Sequence, residues 1–279
     1  MPSDLTSNVM VITGASSGIG AATAIAAAEA GMDLVLNARR ARELEAVAEQ
    51  ARERGAGAEL VVGDVTGKNL SARLLDTAQE RFGRFDVVFS NAGYGLQTTV
   101  HETADEQWRR IFEVNFFASL DLLREAARRL LAGGRRGHLL MCSSCLAKFT
   151  LPYYSAYSAT KAAQNHVCRA MGLELKPYGI HVSSVHPVTT ATEFFEVSTR
   201  LSGRDPEGKS VPEHSPKLFV QPPQRVARAI IKCLRRPRPE VWTSFTVRAV
   251  AGVMTVFPRL FDVAMRSQVK RTAQEKKRL

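Results

Sequence analysis

The sequence predicts a doubly wound α/β protein, in which a parallel sheet carries helices on both of its faces. Six short runs of apolar and β-branched residues have the length of buried strands, from "VMVITG" at 9–14 to "IHVSSVHP" at 180–187. Amphipathic stretches with helical spacing separate these runs, and glycine follows several of them, as helix C-termini prefer. Strict alternation of strand and helix implies parallel strands joined by helical crossovers.

The elements follow one another regularly over the first 186 residues. The predicted strands are 9–14, 33–38, 58–64, 85–93, 137–144 and 180–187. The predicted helices between them are 21–30, 41–54, 69–81, 106–131 and 155–177. A further helix at 224–235 and the run "EVWTS" at 240–244 complete a domain that we expect to span 1–244.

The alternation stops after the sixth strand. Residues 189–224 carry five prolines and two glycines, mixed with apolar pairs such as Phe194 and Phe195. Since long irregular segments in compact domains are usually functional or mobile, we expect an irregular lid there. The apolar residues in it favour a hydrophobic substrate.

Composition indicates a globular chain. With 279 residues and 45% hydrophobic composition, it can bury a core without disulfides or metal. Four cysteines are too few for a disulfide scaffold of this size, so we expect thiols. The N-terminus lacks a signal-peptide pattern and no window reaches about 18 uninterrupted apolar residues, which favours a cytoplasmic protein.

The formal charge of +11 is concentrated in the last fifth of the chain. Residues 1–224 hold 24 basic and 24 acidic residues, whereas 225–279 hold 14 basic and 3 acidic ones. The predicted extension at 245–279 also has apolar residues at helical spacing, namely Val250, Val253, Met254, Phe257, Phe261, Ala264 and Met265. One interpretation is packing on the core or on a subunit interface. Another is peripheral attachment to an anionic membrane surface. Nucleic acid is not expected, because no aromatic stacking platform accompanies the charge.

The stretch "TGASSGIG" at 13–20 lies where the first strand meets the first helix. Glycines there let the chain turn tightly and let backbone N–H groups approach a pyrophosphate at the helix N-terminus. The stretch therefore indicates a Rossmann-like dinucleotide site, although small residues could also serve only close helix packing. The candidate contacts are Gly14, Ser16, Ser17, Gly18, Ile19 and Gly20.

The end of the second strand bears on cofactor choice. A carboxylate there would bind an adenosine ribose, whereas a basic residue would bind a 2′-phosphate. The sequence "LVLNARRARE" has no carboxylate at 37 or 38 and has Arg39 and Arg40 instead. Arginine suits phosphate because its charge is fixed and its donors are planar. We predict NADP(H), with Arg39 as the leading contact, Arg40 beside it and Ser16 as a helper; solvated arginines at the next helix start are the alternative.

Four more elements follow the glycine stretch in order. They are "NAG" at 91–93, Asn115 in the long helix, Ser144 after the fifth strand, and Tyr157 with Lys161. With "TGASSGIG" they resemble the classical short-chain dehydrogenase/reductase family over about residues 8–195, including the separation of thirteen positions between Ser144 and Tyr157. A Tyr-x-x-x-Lys pair alone would prove little, so the resemblance depends on five ordered elements at predicted strand ends.

The resemblance implies an oxidoreductase that acts on CH–OH groups with a nicotinamide cofactor, assembled as a homodimer or homotetramer. It adds these contacts to the cofactor site: Asp64 and Val65 at the adenine, Asn91, Ala92 and Gly93 at the ribose, Thr190 and Thr192 at the nicotinamide, and Tyr157 with Lys161. One position departs from the family, because the usual Pro-Gly is Pro187-Val188 here. Valine tolerates positive φ poorly, so we expect a different backbone if the family's loop uses positive φ there.

The catalytic residues follow from the chemistry. Hydride transfer to a carbonyl leaves negative charge on oxygen, so the site must supply a proton and hold that oxygen. Tyr157 and Lys161 are four apart on a helix, so the ammonium can lower the pKa of the phenol, which is about 10 ordinarily. We expect Tyr157 to be the acid in reduction and the base in oxidation, and Ser144 to fix the substrate oxygen. By resemblance, Asn115 supports a proton relay.

Other candidates have simpler explanations. Tyr153 and Tyr154 lack a lysine one turn later and are expected to shape the pocket mouth. Cys142 and Cys145 form a Cys-x-x-Cys without a second pair, so packing and a pocket edge are favoured over redox or metal chemistry, and no metal site is expected. A nucleotide-binding protein without turnover and a surface-binding scaffold remain alternative functions.

Overall fold

The computed structural model describes residues 4–202 and 220–266, except for residues 261 and 264. Within these residues one sheet contains β1 (Val9–Thr13), β2 (Asp33–Ala38), β3 (Ala58–Val62), β4 (Val87–Ser90), β5 (Gly137–Cys142), β6 (Ile180–His186) and β7 (Glu240–Trp242). The strand order is β3-β2-β1-β4-β5-β6-β7, and every neighbouring pair is parallel. The doubly wound α/β fold is therefore confirmed.

The helices lie between and after the strands. They are α1 (Gly18–Glu29), α2 (Ala41–Arg52), α3 (Leu70–Phe82), α4 (Asp105–Phe112), α5 (Ala118–Ala132), α6 (Ser155–Leu175), α7 (Phe194–Leu201), α8 (Pro223–Arg235) and α9 (Phe245–Val256). None of the helices in the described ranges has both the length and the apolar character needed to cross a membrane.

The core forms two layers because alternate strand residues point to opposite faces of the sheet. Met10 and Ile12 of β1 pack in a cluster with buried residues of α1, α2 and α8. Val9 and Val11 pack on the other face with residues of α3, α5 and α6. Each such side chain contributes about 1.5–3 kcal/mol when fully buried. Helices on both faces leave the carboxyl edge of the sheet as the open side.

The winding direction of the chain reverses at β1, which lies between β2 and β4. Ligands of open α/β sheets bind beyond the carboxyl ends of the strands at such a point. The hydroxyl of Thr13, the last residue of β1, accepts hydrogen bonds of 3.0 and 3.2 Å from the backbone N–H groups of Asn91 and Ala92 after β4. The two strand ends are thus joined at the expected ligand position.

The predicted helix over 106–131 is interrupted in the structure. A π-helical turn, Glu113–Phe117, separates α4 from α5. Asn115 lies in this turn and is fully buried. Such turns are frequent at functional sites. Apolar spacing continues through the turn, so the sequence pattern does not reveal it.

The expected irregular lid is partly helical. Its residues 194–201 form α7, and Thr190 makes an isolated bridge with Gln221. Residues 203–219 of the predicted lid lie outside the described residues, as do Phe261, Ala264 and residues 267–279 of the predicted C-terminal extension.

Candidate active site

The glycine stretch forms a tight cradle between β1 and α1. Gly14 has φ of +65°, and a Cβ there would lie 2.8 Å from the Cα of Ala92. A Cβ on Gly20 would overlap the backbone oxygen of Gly14. The side chain of Asn91 donates to the backbone oxygens of Thr13 and Gly14, both at 3.1 Å. These contacts fix a backbone surface without side chains, which a pyrophosphate can approach closely.

The N-terminus of α1 completes the cradle. Ser17 is its N-cap residue and its side chain makes no capping hydrogen bond. The first N–H groups of the helix therefore keep their capacity to bind an anion, which the helix dipole also favours. Ser16, Ser17 and Ile19 are partly exposed at this end. The residues present fit a dinucleotide.

The segment after β6 covers this cradle. A Cβ on Gly18 would lie 3.0 Å from the side chain of Thr192. The carboxylate of Glu193 lies 2.8 Å from the guanidinium of Arg40. Hydrogen bonds from Arg40 and, to a lesser degree, from Ser17 hold the pKa of Glu193 below its ordinary value, although burial opposes them. The carboxylate of Glu193 therefore places a negative charge beside the glycine cradle.

Thr190 and Val188 shape the start of the same segment. The hydroxyl of Thr190 donates to the backbone oxygen of Val188 at 2.8 Å, and it accepts a hydrogen bond from Gln221 at 3.3 Å. Val188 is buried, and its φ is not positive. Among the described non-glycine residues, those with positive φ are Ser7, Asn69 and Tyr153. The valine is therefore accommodated without strain.

The two arginines after β2 have different surroundings. The side chain of Arg39 is 73% exposed and its nearest carboxylate, that of Asp64, lies 3.9 Å away. Arg40 instead binds Glu193 and donates to the hydroxyl of Ser16 at 3.3 Å. Burial raises the pKa of Asp64, but hydrogen bonds from Thr66 and nearby arginines hold it below its ordinary value.

Asp64 and Val65 begin the loop after β3. Asp64 accepts a hydrogen bond of 3.0 Å from Arg110 of α4, and Val65 packs on the core layer formed with α3 and α5. Both residues lie at the carboxyl edge, where the resemblance places the adenine.

The end of β5 and the start of α6 bring Ser144, Tyr157 and Lys161 together. The ammonium nitrogen of Lys161 lies 5.4 Å from the centroid of the Tyr157 ring. It donates to the backbone oxygen of Cys142 at 2.7 Å, while Ser143 donates to the backbone oxygen of Lys161 at 2.8 Å. These bonds join the helix to the strand end. The predicted catalytic trio therefore shares one place at the carboxyl edge.

The ionisation of Tyr157 and Lys161 reflects their burial. Burial raises the pKa of Tyr157 well above its ordinary value, although a hydrogen bond with Ser144 opposes this. Burial lowers the pKa of Lys161 to about 8. Tyr157 is thus a neutral phenol at pH 7, which can donate a proton. The expected lowering of its pKa by Lys161 does not outweigh burial here.

Asn115 uses its side chain to hold the chain after β4. Its Oδ1 accepts from the backbone N–H of Tyr94 at 3.0 Å, and its Nδ2 donates to the backbone oxygen of Tyr94 at 2.9 Å and to the hydroxyl of Thr160 at 3.2 Å. A Cβ on Gly93 would lie 3.0 Å from Oδ1 of Asn115. Asn115 therefore positions the "NAG" stretch rather than presenting its amide to a substrate.

An apolar wall lies next to Tyr157. The ring of Phe194 contacts that of Tyr157 edge-on, with centroids 5.4 Å apart. Leu96, Ile111 and Ala156 form a buried cluster against which Tyr94, Trp108, Phe112 and Tyr157 pack. Tyr153 has φ of +71° and is partly exposed, and its backbone oxygen accepts a hydrogen bond from the backbone N–H of Thr98 at 2.9 Å.

The cysteines are thiols. Burial raises the pKa of Cys142, and it raises that of Cys145 to about 11. Their reactive thiolate forms are therefore scarce at neutral pH. In the described part of the chain, no group of three or more metal-ligating side chains is found.

Gln164 and His186 also border this site, although neither belongs to the sequence motifs described above. Gln164 hydrogen-bonds the ammonium of Lys161 at 3.1 Å. Nδ1 of His186 lies 2.9 Å from the backbone oxygen of Ser144, and its ring stacks on Trp242 with centroids 4.6 Å apart. Gln164 is three residues after Lys161, hence on the same helix face, which was the available signal.

Comparisons with known proteins show similarity over most of the chain. Residues 8–201 match the model of a family described as short chain dehydrogenase. A relative from Picea abies named Short-chain type dehydrogenase/reductase is 36% identical over 196 residues, covering 67% of this chain and 72% of the relative. Glycine betaine reductase ATRR of Emericella nidulans is 34% identical over 234 residues, which cover 84% of this chain but only 18% of that protein.

Two solved structures show the same fold. A short chain dehydrogenase/reductase from Burkholderia phymatum in complex with NAD has a TM-score of 0.80 at 24% identity, covering 92% of this chain and 96% of that one. An alcohol dehydrogenase from Thermococcus sibiricus complexed with 5-hydroxy-NADP has a TM-score of 0.71 at 29% identity, covering 84% of this chain and 95% of that one.

Proposed function

The chain belongs to the short-chain dehydrogenase family, and we propose that it uses NADP(H) to interconvert a carbonyl group and an alcohol on a hydrophobic substrate. The observation that carries this proposal is the position of Ser144, Tyr157 and Lys161 at the carboxyl edge of the sheet, where the glycine cradle also lies. Oxidoreductase chemistry on alcohols and carbonyls is what the family performs in general.

Each catalytic side chain has one task. NADPH, when bound, supplies the hydride. The hydroxyl of Ser144 holds the substrate oxygen, and the phenol of Tyr157 donates the proton that neutralises the developing negative charge. The neutral state of Tyr157 suits reduction, because the acid must carry its proton before the reaction. In oxidation Tyr157 accepts that proton, and the nearby ammonium of Lys161 favours the phenolate.

The surroundings of β2 support NADP(H). The side chain of Asn37 is fully buried and donates to the backbone oxygens of Val61 and Gly63, so it does not face a ribose. Ala38 has no polar atoms in its side chain. Arg39 is exposed at this edge and makes only a loose ion pair, so its guanidinium can bind a 2′-phosphate. The two solved structures compared above contain NAD in one case and 5-hydroxy-NADP in the other, so the choice of NADP(H) rests on Arg39.

The apolar wall beside Tyr157 supports a hydrophobic substrate. Phe194 touches Tyr157, and Leu96 with Ile111 lies behind it. A carbonyl held by Ser144 would place its substituents against this surface. A ketone or aldehyde with an apolar group fits this wall better than a charged one.

The function is tested by following absorbance at 340 nm with purified protein, NADPH and a panel of aldehydes and ketones from polar to long-chain. Oxidation of NADPH that rises with substrate apolarity supports the proposal. Tight NADPH binding without turnover on any carbonyl or alcohol would favour a non-catalytic nucleotide-binding protein. The complete set of Asn115, Ser144, Tyr157 and Lys161 argues against that alternative.

We also propose that the C-terminal segment attaches the enzyme to an anionic membrane surface. α9 packs on the protein through Val247 and Ala251, while Phe245, Val256 and Phe257 are 83%, 67% and 58% exposed. The excess of basic residues after 224 complements anionic lipid. Two copies of this positively charged segment would repel each other, so a bilayer is the better occupant of the apolar face. A scaffold protein without enzymatic activity could bind a membrane through the same surface.

The position of α9 links the surface to the site. The hydroxyl oxygen of Thr255 of α9 lies 3.2 Å from the backbone oxygen of Lys148, in the loop that follows Ser144. A substrate dissolved in the membrane would therefore enter near the catalytic edge. We expect a homodimer or homotetramer, which a mass measurement in solution checks.

A further inference from the structure

Gln164 is a fully buried amide in the middle of α6. Its Nε2 donates to the backbone oxygen of Asn115 and, at 3.3 Å, to the hydroxyl of Ser119. Because a backbone oxygen can only accept, this contact fixes which end of the amide is NH₂. The amide oxygen must then face the other way. It lies 3.1 Å from the ammonium nitrogen of Lys161.

The ammonium of Lys161 has three donors. One donates to the backbone oxygen of Cys142 and one to the amide oxygen of Gln164. These two acceptors belong to different elements, β5 and α6, and both are buried. They hold the ammonium from two sides and leave one donor for the side of Tyr157 and a bound cofactor.

We propose that Gln164 is a positioning residue that orients the ammonium of Lys161 and joins it to the π-helical turn at Asn115. This inference rests on the proposed function, since it concerns the same catalytic lysine. One side chain connects two of the four predicted catalytic residues, which are otherwise on separate helices. Gln164 acts through Lys161 and does not contact the reacting atoms.

The amide of Gln164 is important for the charged form of Lys161 because of the groups that surround this lysine. Among the described residues, the ion pairs do not include Lys161. The titratable groups that face it are the thiol of Cys142 from β5 and the phenol of Tyr157 from its own helix, and burial raises the pKa of both. The charged form of Lys161 is therefore supported mainly by two neutral carbonyl dipoles. Loss of one of these two hydrogen bonds should lower the pKa of Lys161 further.

Two substitutions with opposite effects test the proposal. Gln164→Leu removes the acceptor and should lower the pKa of Lys161 by about one unit, because hydrogen bonds to a charged form favour it. Gln164→Glu places a carboxylate at the same position and should raise that pKa by about one unit or more. The measurement is an NMR titration of lysine labelled with ¹³C at Cε, with Lys161→Met assigning the signal. It needs no substrate.

Asn165→Leu is the matched control. Asn165 is the next buried amide on α6, and its side chain lies 3.2 Å from the hydroxyl oxygen of Ser184 instead of binding Lys161. Its loss should destabilise the fold and leave the Lys161 titration unchanged. Equal shifts in Asn165→Leu and Gln164→Leu would overturn the proposal, as would an unchanged titration in both Gln164 variants.

The pH dependence of activity gives a second readout. If the enzyme reduces carbonyls, the apparent pKa of kcat/KM should move down in Gln164→Leu and up in Gln164→Glu, in step with the NMR titration. A shifted titration without any turnover in the wild-type protein would contradict the proposed function but support the role of Gln164. Turnover with unshifted profiles in both variants would contradict the role of Gln164 alone.

Discussion

Nδ1 of His186 donates a hydrogen bond of 2.9 Å to the backbone oxygen of Ser144. Since Nδ1 must then carry the proton of the neutral ring, Nε2 accepts from the hydroxyl of Ser184, also at 2.9 Å. The imidazole therefore ties the end of β6 to Ser144, the residue proposed to hold the substrate oxygen.

Acid should destabilise the protein through this histidine. Burial lowers the pKa of His186 to about 4 from an ordinary 6.5. Between these values the unfolded chain binds more protons, so stability is complete above pH 6.5 and falls as the pH drops to 4, by about 3 kcal/mol. Urea unfolding at a series of pH values measures this, and His186→Gln should flatten the dependence.

His138→Gln provides the comparison. His138 is also buried, bonds Ser183 at 2.7 Å on the neighbouring strand, and has its pKa lowered to about 3. Both variants should reduce acid sensitivity, but only His186→Gln should lower kcat, because only His186 contacts Ser144. Equal kcat losses in the two variants would contradict a local role of His186 at Ser144.

Tyr157→Phe should lower kcat by at least about 100-fold, as loss of a general acid typically does. The ring stays in contact with Phe194, so folding should be preserved. NADPH binding, followed by fluorescence, should survive because the cradle at Gly14 is untouched. Full activity in this variant would exclude Tyr157 as the acid.

Arg39→Ala should raise the KM for NADPH about tenfold and leave that for NADH unchanged, since a charge-assisted bond to phosphate contributes about 1.5–3 kcal/mol. Arg42→Ala serves as the control, because Arg42 is also exposed at the start of α2 and is not among the predicted cofactor contacts. If Arg39→Ala changes the two KM values equally, the assignment of the 2′-phosphate to Arg39 is wrong.

The membrane surface is tested by sedimentation with vesicles. The full chain should pellet with vesicles containing phosphatidylserine and not with pure phosphatidylcholine, and binding should weaken with salt. Replacing Val253, Val256 and Phe257 by Asn should abolish pelleting while Val247 and Ala251 keep α9 packed. Leu173→Asn, at a residue 70% exposed on α6, should have no effect. Equal pelleting of all variants would refute an apolar contact through α9.

Much of the architecture could be predicted from the sequence, because it depends on local patterns. Short apolar runs identified the strands, and their alternation with helices determined the parallel sheet. The spacing of Tyr157 and Lys161 placed both on one helix face, which the structure has. These relations span a single element or consecutive elements.

Features that depend on tertiary contacts could not be predicted. The π-helical turn at Asn115 follows no spacing of apolar residues and is held by Tyr94 and Thr160 from other segments. Burial of Tyr157 raises its pKa. The spacing of Tyr157 and Lys161 in the sequence indicates the effect of the lysine on this pKa but not the effect of burial. The different surroundings of Arg39 and Arg40 arise because Glu193, 153 residues further along the chain, returns to Arg40.

The hydroxyl of Thr13 accepts hydrogen bonds from the backbone N–H groups of Asn91 and Ala92. The two sides of the cradle therefore come from chain segments that are far apart in sequence. Neither segment can form the cradle before β1 and β4 pair, and such non-local pairing is slow in folding. Cofactor affinity therefore reports completed folding of the sheet. A dinucleotide that binds only the folded chain will therefore raise the unfolding temperature in proportion to the logarithm of its concentration once it exceeds Kd.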